Sequence, residues 1–167
     1  PDLTKLATFG RDLTAEAERG RLHRAYHADD QVEALVRVLG GSASRSAVLL
    51  GPSGVGKTAI VYELVHRLTT SPGGEWRVIR VVPSELLVGT KFLGEWQTRV
   101  KELVELAAAP QRVLLYVPNL EELSDVGKAS NDQSNVATML GPHIESGRIA
   151  LLGEATPEAW ARGLGRD

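Results

Sequence analysis

"SAVLLGPSGVGKTAIV", residues 46–61, is the stretch on which the fold turns. It opens with a short apolar run that lacks in-out alternation, the pattern of a strand covered on both faces. The run passes directly into Gly51, four further residues, and then Gly56-Lys57-Thr58. After Lys57 the apolar positions Ile60, Leu64, Val65 and Leu68 recur at helical spacing. A glycine-rich loop of this spacing is weak evidence alone and strong evidence between a strand and an amphipathic helix. Gly51, Gly54 and Gly56 allow close backbone approaches that a Cβ would obstruct. Amide groups from Ser53 through Thr58 then turn inward at the positive end of the helix, a cradle for phosphate oxygens. The expected ligands are Gly51, Pro52, Ser53, Gly54, Val55, Gly56, Lys57 and Thr58. Lys57 reaches for the β- and γ-phosphates, and the Thr58 hydroxyl for Mg²⁺.

Working outward, three further apolar runs read as buried strands: "WRVIRVV" (76–82), "RVLLYV" (112–117) and "RIALLG" (148–153). Helical patterns lie between them. Trp96, Val100, Leu103 and Ala107 share one face; Val136, Leu140 and Ile144 mark another helix, which Gly141-Pro142 is expected to interrupt or kink. Strand-helix alternation of this kind predicts a three-layer α/β sandwich around a parallel sheet, with right-handed crossovers. Residues 1–45 read as a polar helical lead-in, with "DDQVEALVRVL" (29–39) its best amphipathic stretch, and 46–156 as the α/β core. The loops at 40–46 and 71–74 are not domain linkers, because the alternation resumes at once.

With 43% hydrophobic residues, a net charge of −2 and arginines scattered along the chain, no basic footprint points to nucleic acid. No run approaches a membrane span, and no signal peptide is legible. The chain has no cysteine, which excludes disulfides and thiolate metal sites within it and fits a cytoplasmic setting. His23 and His27 share helical spacing without a His-Glu-x-x-His pattern, so surface histidines are the better reading.

Hydrolysis of a bound triphosphate needs more than a cradle. An acid at the tip of a neighbouring strand holds Mg²⁺, and a second acid polarises the attacking water. The strand 112–117 ends instead in Pro118 and Asn119. Proline offers no ligand, and an amide orients water without taking its proton. Loss of a general base costs factors of about 10²–10⁴ in rate. Glu121 and Glu122 lie too far past the tip and read as a solvated turn. Glu154, at the end of the fourth run, could approach the γ-phosphate as a displaced base or as a repelling charge; the plainer reading has it facing another helix.

Taken together, the chain resembles the first ATPase module of the Clp/ClpB group of AAA+ unfoldases. The resemblance is carried by "FGRDLTAEAERGRL" (9–22), "GVGKTAIV" (54–61), "LLVGTKFLGEWQTRVKELV" (86–104) and "RIALLGEAT" (148–156). It implies the large nucleotide-binding subdomain of a P-loop NTPase spanning 1–167, ending before a fifth strand and without a lid subdomain. It implies ATP or ADP with Mg²⁺ as cofactors. It implies a hexameric homo-oligomer that threads a polypeptide client, with Lys91 and Phe92 at the pore loop. "RAYHAD" (24–29) falls in the adenine region, which brings Ala25 and Tyr26 into the nucleotide site. Departures gather around the nucleotide: the family's Asp-Glu pair is Pro118-Asn119, and its sensor threonine is Ala155. Three functions follow from this. The first is a nucleotide-binding module with little or no hydrolysis. The second is an active ATPase with a displaced acid, and the third an interaction scaffold that binds no nucleotide.

Overall fold

A run of Val, Ile and Leu without alternation has to be covered from both sides, and in the computed structural model three of the four runs are buried in the middle of the sheet. The run at 46–50, expected to be buried as well, is an edge strand that is only half-buried. The structure describes residues 2–24, 28–40, 45–51, 56–70, 76–87, 94–121 and 136–158. In chain order the strands are β1 (Arg11–Asp12), β2 (Ala47–Leu50), β3 (Arg77–Arg80), β4 (Val113–Val117) and β5 (Ala150–Ala155). The helices are α1 (Leu13–Glu18), α2 (Asp29–Leu39), α3 (Lys57–Thr70), α4 (Glu95–Ala107) and α5 (Val136–Glu145), with 3₁₀ turns at Leu3–Thr8 and Pro83–Leu87.

The sheet has the order β1-β3-β4-β5-β2. β3, β4, β5 and β2 run parallel, and β1 joins β3 antiparallel. Strand periodicity sorts the core into two halves. Val113, Leu115 and Val117 pack with α4 and α5, around Val100, Leu103 and Leu140. Leu114, Tyr116 and Leu152 pack with α2 and α3, around Val61, Leu64 and Val65. The expected three-layer α/β sandwich is the architecture found.

Four further details depart from the sequence reading. The lead-in is not only helical: Arg11 and Asp12 pair with Arg80 and Ile79, so a two-residue antiparallel strand closes the β3 edge. On α3, Val61 rather than Ile60 takes the fully buried position. β5 begins and ends two residues later than the apolar run, because Leu50 pairs with Ala155 and the Gly51 amide bonds the Ala155 carbonyl at 3.2 Å. Finally, α5 is not interrupted at Gly141-Pro142; the Ser146 amide reaches the Pro142 carbonyl at 3.1 Å and the helix runs on to Glu145.

Candidate functional site

The parallel strands deliver their C-terminal ends to one edge, and the N-terminus of α3 arrives at the same edge. Between them lies an open cleft of about 290 Å³ walled by Lys57, Arg80, Pro118, Asn119, Glu154 and Thr156, with Glu121 at its rim. Clefts outside the carboxyl ends of parallel strands are where open α/β sheets bind ligands.

Alternation explains which side chains arrive there. On the α3 side of the sheet, Val78 precedes Arg80, Leu114 precedes Tyr116, and Leu152 precedes Glu154; the first of each pair is core. Arg80 stands opposite Tyr116 in the ladder, and Tyr116 opposite Leu152. One step further along β5, Glu154 meets the phenol, and Tyr116 Oη donates to Glu154 Oε1 at 2.9 Å. Glu154 is only 6% exposed. Burial raises the proton affinity of its carboxyl, while the Tyr116 hydrogen bond and the positive charges of Lys57 and Arg80 pull the other way. Burial and the nearby Glu154 carboxylate raise the Tyr116 pKa as well, against the opposing pull of the Thr58 hydroxyl. Tyr116 therefore remains a donor.

The loop side is built on Gly56, whose φ of +67° lies in the left-handed region that glycine tolerates. The Gly56 carbonyl accepts the Ile60 amide at 3.0 Å, which starts α3 immediately before Lys57. The first turn of α3 carries no acidic residue, so its positive end is uncompensated from within the helix. Lys57 Nζ donates to the Gly51 carbonyl.

At the strand tip Pro118 is half-buried and Asn119 exposed. The Leu120 amide bonds the Glu154 carbonyl at 3.1 Å, so the chain beyond β4 stays beside β5. Glu121 is exposed, as the turn reading expects. Glu154 does not face another helix in the plain sense: its partner is Tyr116 of the adjacent strand, at the mouth of the cleft. Ala155 is buried and Thr156 half-buried. Pro52, Ser53, Gly54, Val55, Ala25, Tyr26, Lys91, Phe92, His27 and Glu122 lie outside the described residues. Among the described residues no group of three or more His, Asp or Glu side chains is placed to hold a metal ion.

The structure thus brings together Gly51, Gly56, Lys57, Thr58, Pro118, Asn119 and Glu154. Sequence reading did not single out Arg80, in the cleft wall, or Tyr116, buried behind it and bonded to Glu154. Each left a trace: an arginine breaking the run "VIRVV" and a phenol inside "LLYV".

Residues 47–152 match the model of the ATPase family associated with various cellular activities (AAA), and the chain belongs to that family. Relatives similar to this chain include Clp-type chaperones. The chain is 30% identical over 167 residues to the chaperone protein ClpB 2 of Parasynechococcus marenigrum, covering 97% of this chain and 18% of that protein. It is 30% identical over 166 residues to the chloroplastic chaperone protein ClpC2 of Oryza sativa subsp. japonica, with the same coverage of 97% and 18%. The chain therefore spans about a fifth of the length of these relatives. Its fold matches Saccharomyces cerevisiae Hsp104 in a casein complex with a TM-score of 0.81 at 22% identity, covering 97% of this chain and 28% of that one. An Hsp104–ADP complex matches with a TM-score of 0.79 at 21% identity, with the same coverage of 97% and 28%.

Proposed function

We propose that this chain is the nucleotide-binding module of a Clp-type AAA+ chaperone-like protein, one that binds ATP or ADP and hydrolyses it little or not at all. The observation that carries the reading is the make-up of the cleft. Lys57, Arg80 and the uncompensated N-terminus of α3 face it, while the strand tip that should carry acids carries Pro118 and Asn119. The cationic side suits phosphate. The residues from Gly51 to Thr58 would hold it, with Ala25 and Tyr26 toward the base.

The fit to Mg²⁺ is thinner. Thr58 offers one hydroxyl, and Pro118 offers nothing where a carboxylate would steady the ion. When bound with nucleotide, the ion supplies neutralisation of phosphate charge; the chain itself contributes Lys57 and Arg80 to that end. Asn119 can orient a water but leaves its proton in place.

The fold match to a casein-bound and to an ADP-bound Hsp104 supports extending the reading to the complete protein. That protein would be a cytoplasmic homo-oligomer, a six-membered ring acting on a polypeptide client, with Lys91 and Phe92 gripping the client. Residues 1–167 form one nucleotide-binding subdomain within it, with 1–45 as lead-in and 46–156 as core.

The test compares the protein with its Lys57→Ala variant. Nucleotide binding is expected to require Lys57, and phosphate release is expected to be equally low in both. Vigorous phosphate release that disappears with Lys57 would refute the reading. One observation favours a second reading, an active ATPase: a buried carboxyl with raised proton affinity, Glu154, borders the cleft. That reading requires turnover, and requires Glu154→Gln to abolish it.

A further inference from the structure

Glu154 is an odd neighbour for a phosphate. It is an acid held among cations in a cleft that otherwise favours anions, and it cannot turn away. The residue is 6% exposed, and the Tyr116 hydroxyl fixes one carboxylate oxygen at 2.9 Å. The charged and titratable groups around it are Lys57 from α3, Arg80 from β3, Tyr116 from β4 and, at the rim after β4, Glu121. β2, whose Leu49 stands opposite Glu154, brings none. Lys57 and Arg80 offset the charge of a short polyphosphate only in part. Each further phosphate brings charge toward Glu154.

We propose that the cleft selects a nucleoside diphosphate over the triphosphate, with the Tyr116-anchored Glu154 carboxylate as the discriminating group. The inference rests on the nucleotide-binding reading above and specifies which nucleotide that site retains. Two independent features act in the same direction. Glu154 sets a fixed negative charge against the terminal phosphate, and a like charge is an effective means of excluding one ligand in favour of another. Pro118 and Asn119 replace the acids that would bring in a divalent cation, so the extra phosphate charge finds no metal held at the strand tip. A diphosphate seated at Lys57 and the α3 N-terminus encounters neither difficulty to the same degree. Tyr116 is a positioning residue in this scheme, since it touches Glu154 rather than the nucleotide.

The test is calorimetric titration of the complete protein with ADP and with ATP, each in Mg²⁺. The Lys57→Ala protein is titrated in parallel, so that only Lys57-dependent binding is counted. ADP is expected to bind about tenfold more tightly than ATP, and Glu154→Gln is expected to bring the two affinities together. If ATP binds the unaltered protein as tightly as ADP, the selectivity claim is wrong and the nucleotide reading stands. A ratio that persists undiminished in a folded Glu154→Gln protein also overturns it. If neither nucleotide shows Lys57-dependent binding, the nucleotide reading itself fails. The comparison on unaltered protein decides the claim even if the variant does not fold.

Discussion

Glu154 couples the cleft to the stability of the sheet that carries it. In the unfolded chain its carboxyl titrates near the ordinary glutamate value of about 4.5, and in the folded protein burial raises that value. Below both values the group is protonated in either state and costs nothing. As pH rises from about 4.5, the unfolded chain releases the proton first, so stability falls until the folded-state value is passed. Glu154→Gln keeps an acceptor for the Tyr116 hydroxyl and removes the ionisation. The variant is therefore expected to melt at a higher temperature than the parent at pH 7–8, with the difference vanishing near pH 4. Thermal unfolding across that range by circular dichroism checks it, and a pH-independent difference would show that packing, not charge, is responsible. None of this was legible in the sequence. Thirty-seven intervening residues separate Tyr116 from Glu154, and only the register of β4 on β5 makes them partners. Lys57 and Thr58, by contrast, announce themselves, because their role follows from spacing within one local strand-loop-helix unit.

Among the elements, the edge of β3 shows how little of a fold a short strand needs. Two residues of β1 pair with it, and Thr14 at the start of α1 completes the pairing: its hydroxyl oxygen accepts the Val78 amide at 2.8 Å in a buried position. Asp12 caps α1 through the Ala15 amide at 2.9 Å and meets Arg77 at 2.6 Å. Thr14→Val keeps the shape and leaves the buried Val78 amide without its acceptor, which should cost about 1–3 kcal/mol in urea unfolding. Thr14→Ser, which restores an acceptor, should lose less. Gly10 permits the approach itself, since a Cβ there would fall 1.9 Å from the Arg80 carbonyl oxygen. Backbone cannot step aside as a side chain can, so Gly10→Ala is expected to destabilise by about 1–3 kcal/mol or more. At Gly153 the nearest atom to an added Cβ is Leu120 Cδ1 at 2.8 Å, the end of a flexible side chain, and Gly153→Ala should cost less than Gly10→Ala. The same denaturant midpoints rank the pair, and the reverse order would contradict the argument. β2 to β5 and the amphipathic helices were readable because their apolar runs and faces span enough residues to show a period. β1 was not, because two residues have no period and their pairing is set by contacts about 70 positions away.

For the whole molecule, the topology sets where the sheet has an open edge among the described residues. The sheet order ends with β2, which pairs with β5 on one side and with no strand among the described residues on the other. Leu50, the last residue of β2, is 49% exposed, the large apolar side chain most at odds with its surroundings among the described residues. An open parallel edge with an exposed leucine at its tip is a template for another strand. Relatives about five times the length of this chain have ample sequence with which to cover such an edge. Residues 1–167 on their own are therefore expected to associate with increasing concentration. Leu50→Lys is expected to reduce that association, since a charge at an edge opposes strand addition. The substitution touches no core position, and both halves of the core leave Leu50 out, so the far-ultraviolet dichroism and unfolding midpoint should change little. Sedimentation velocity across a concentration series measures the outcome. Association unaffected by Leu50→Lys would move the contact away from β2 and leave that edge protected by other means.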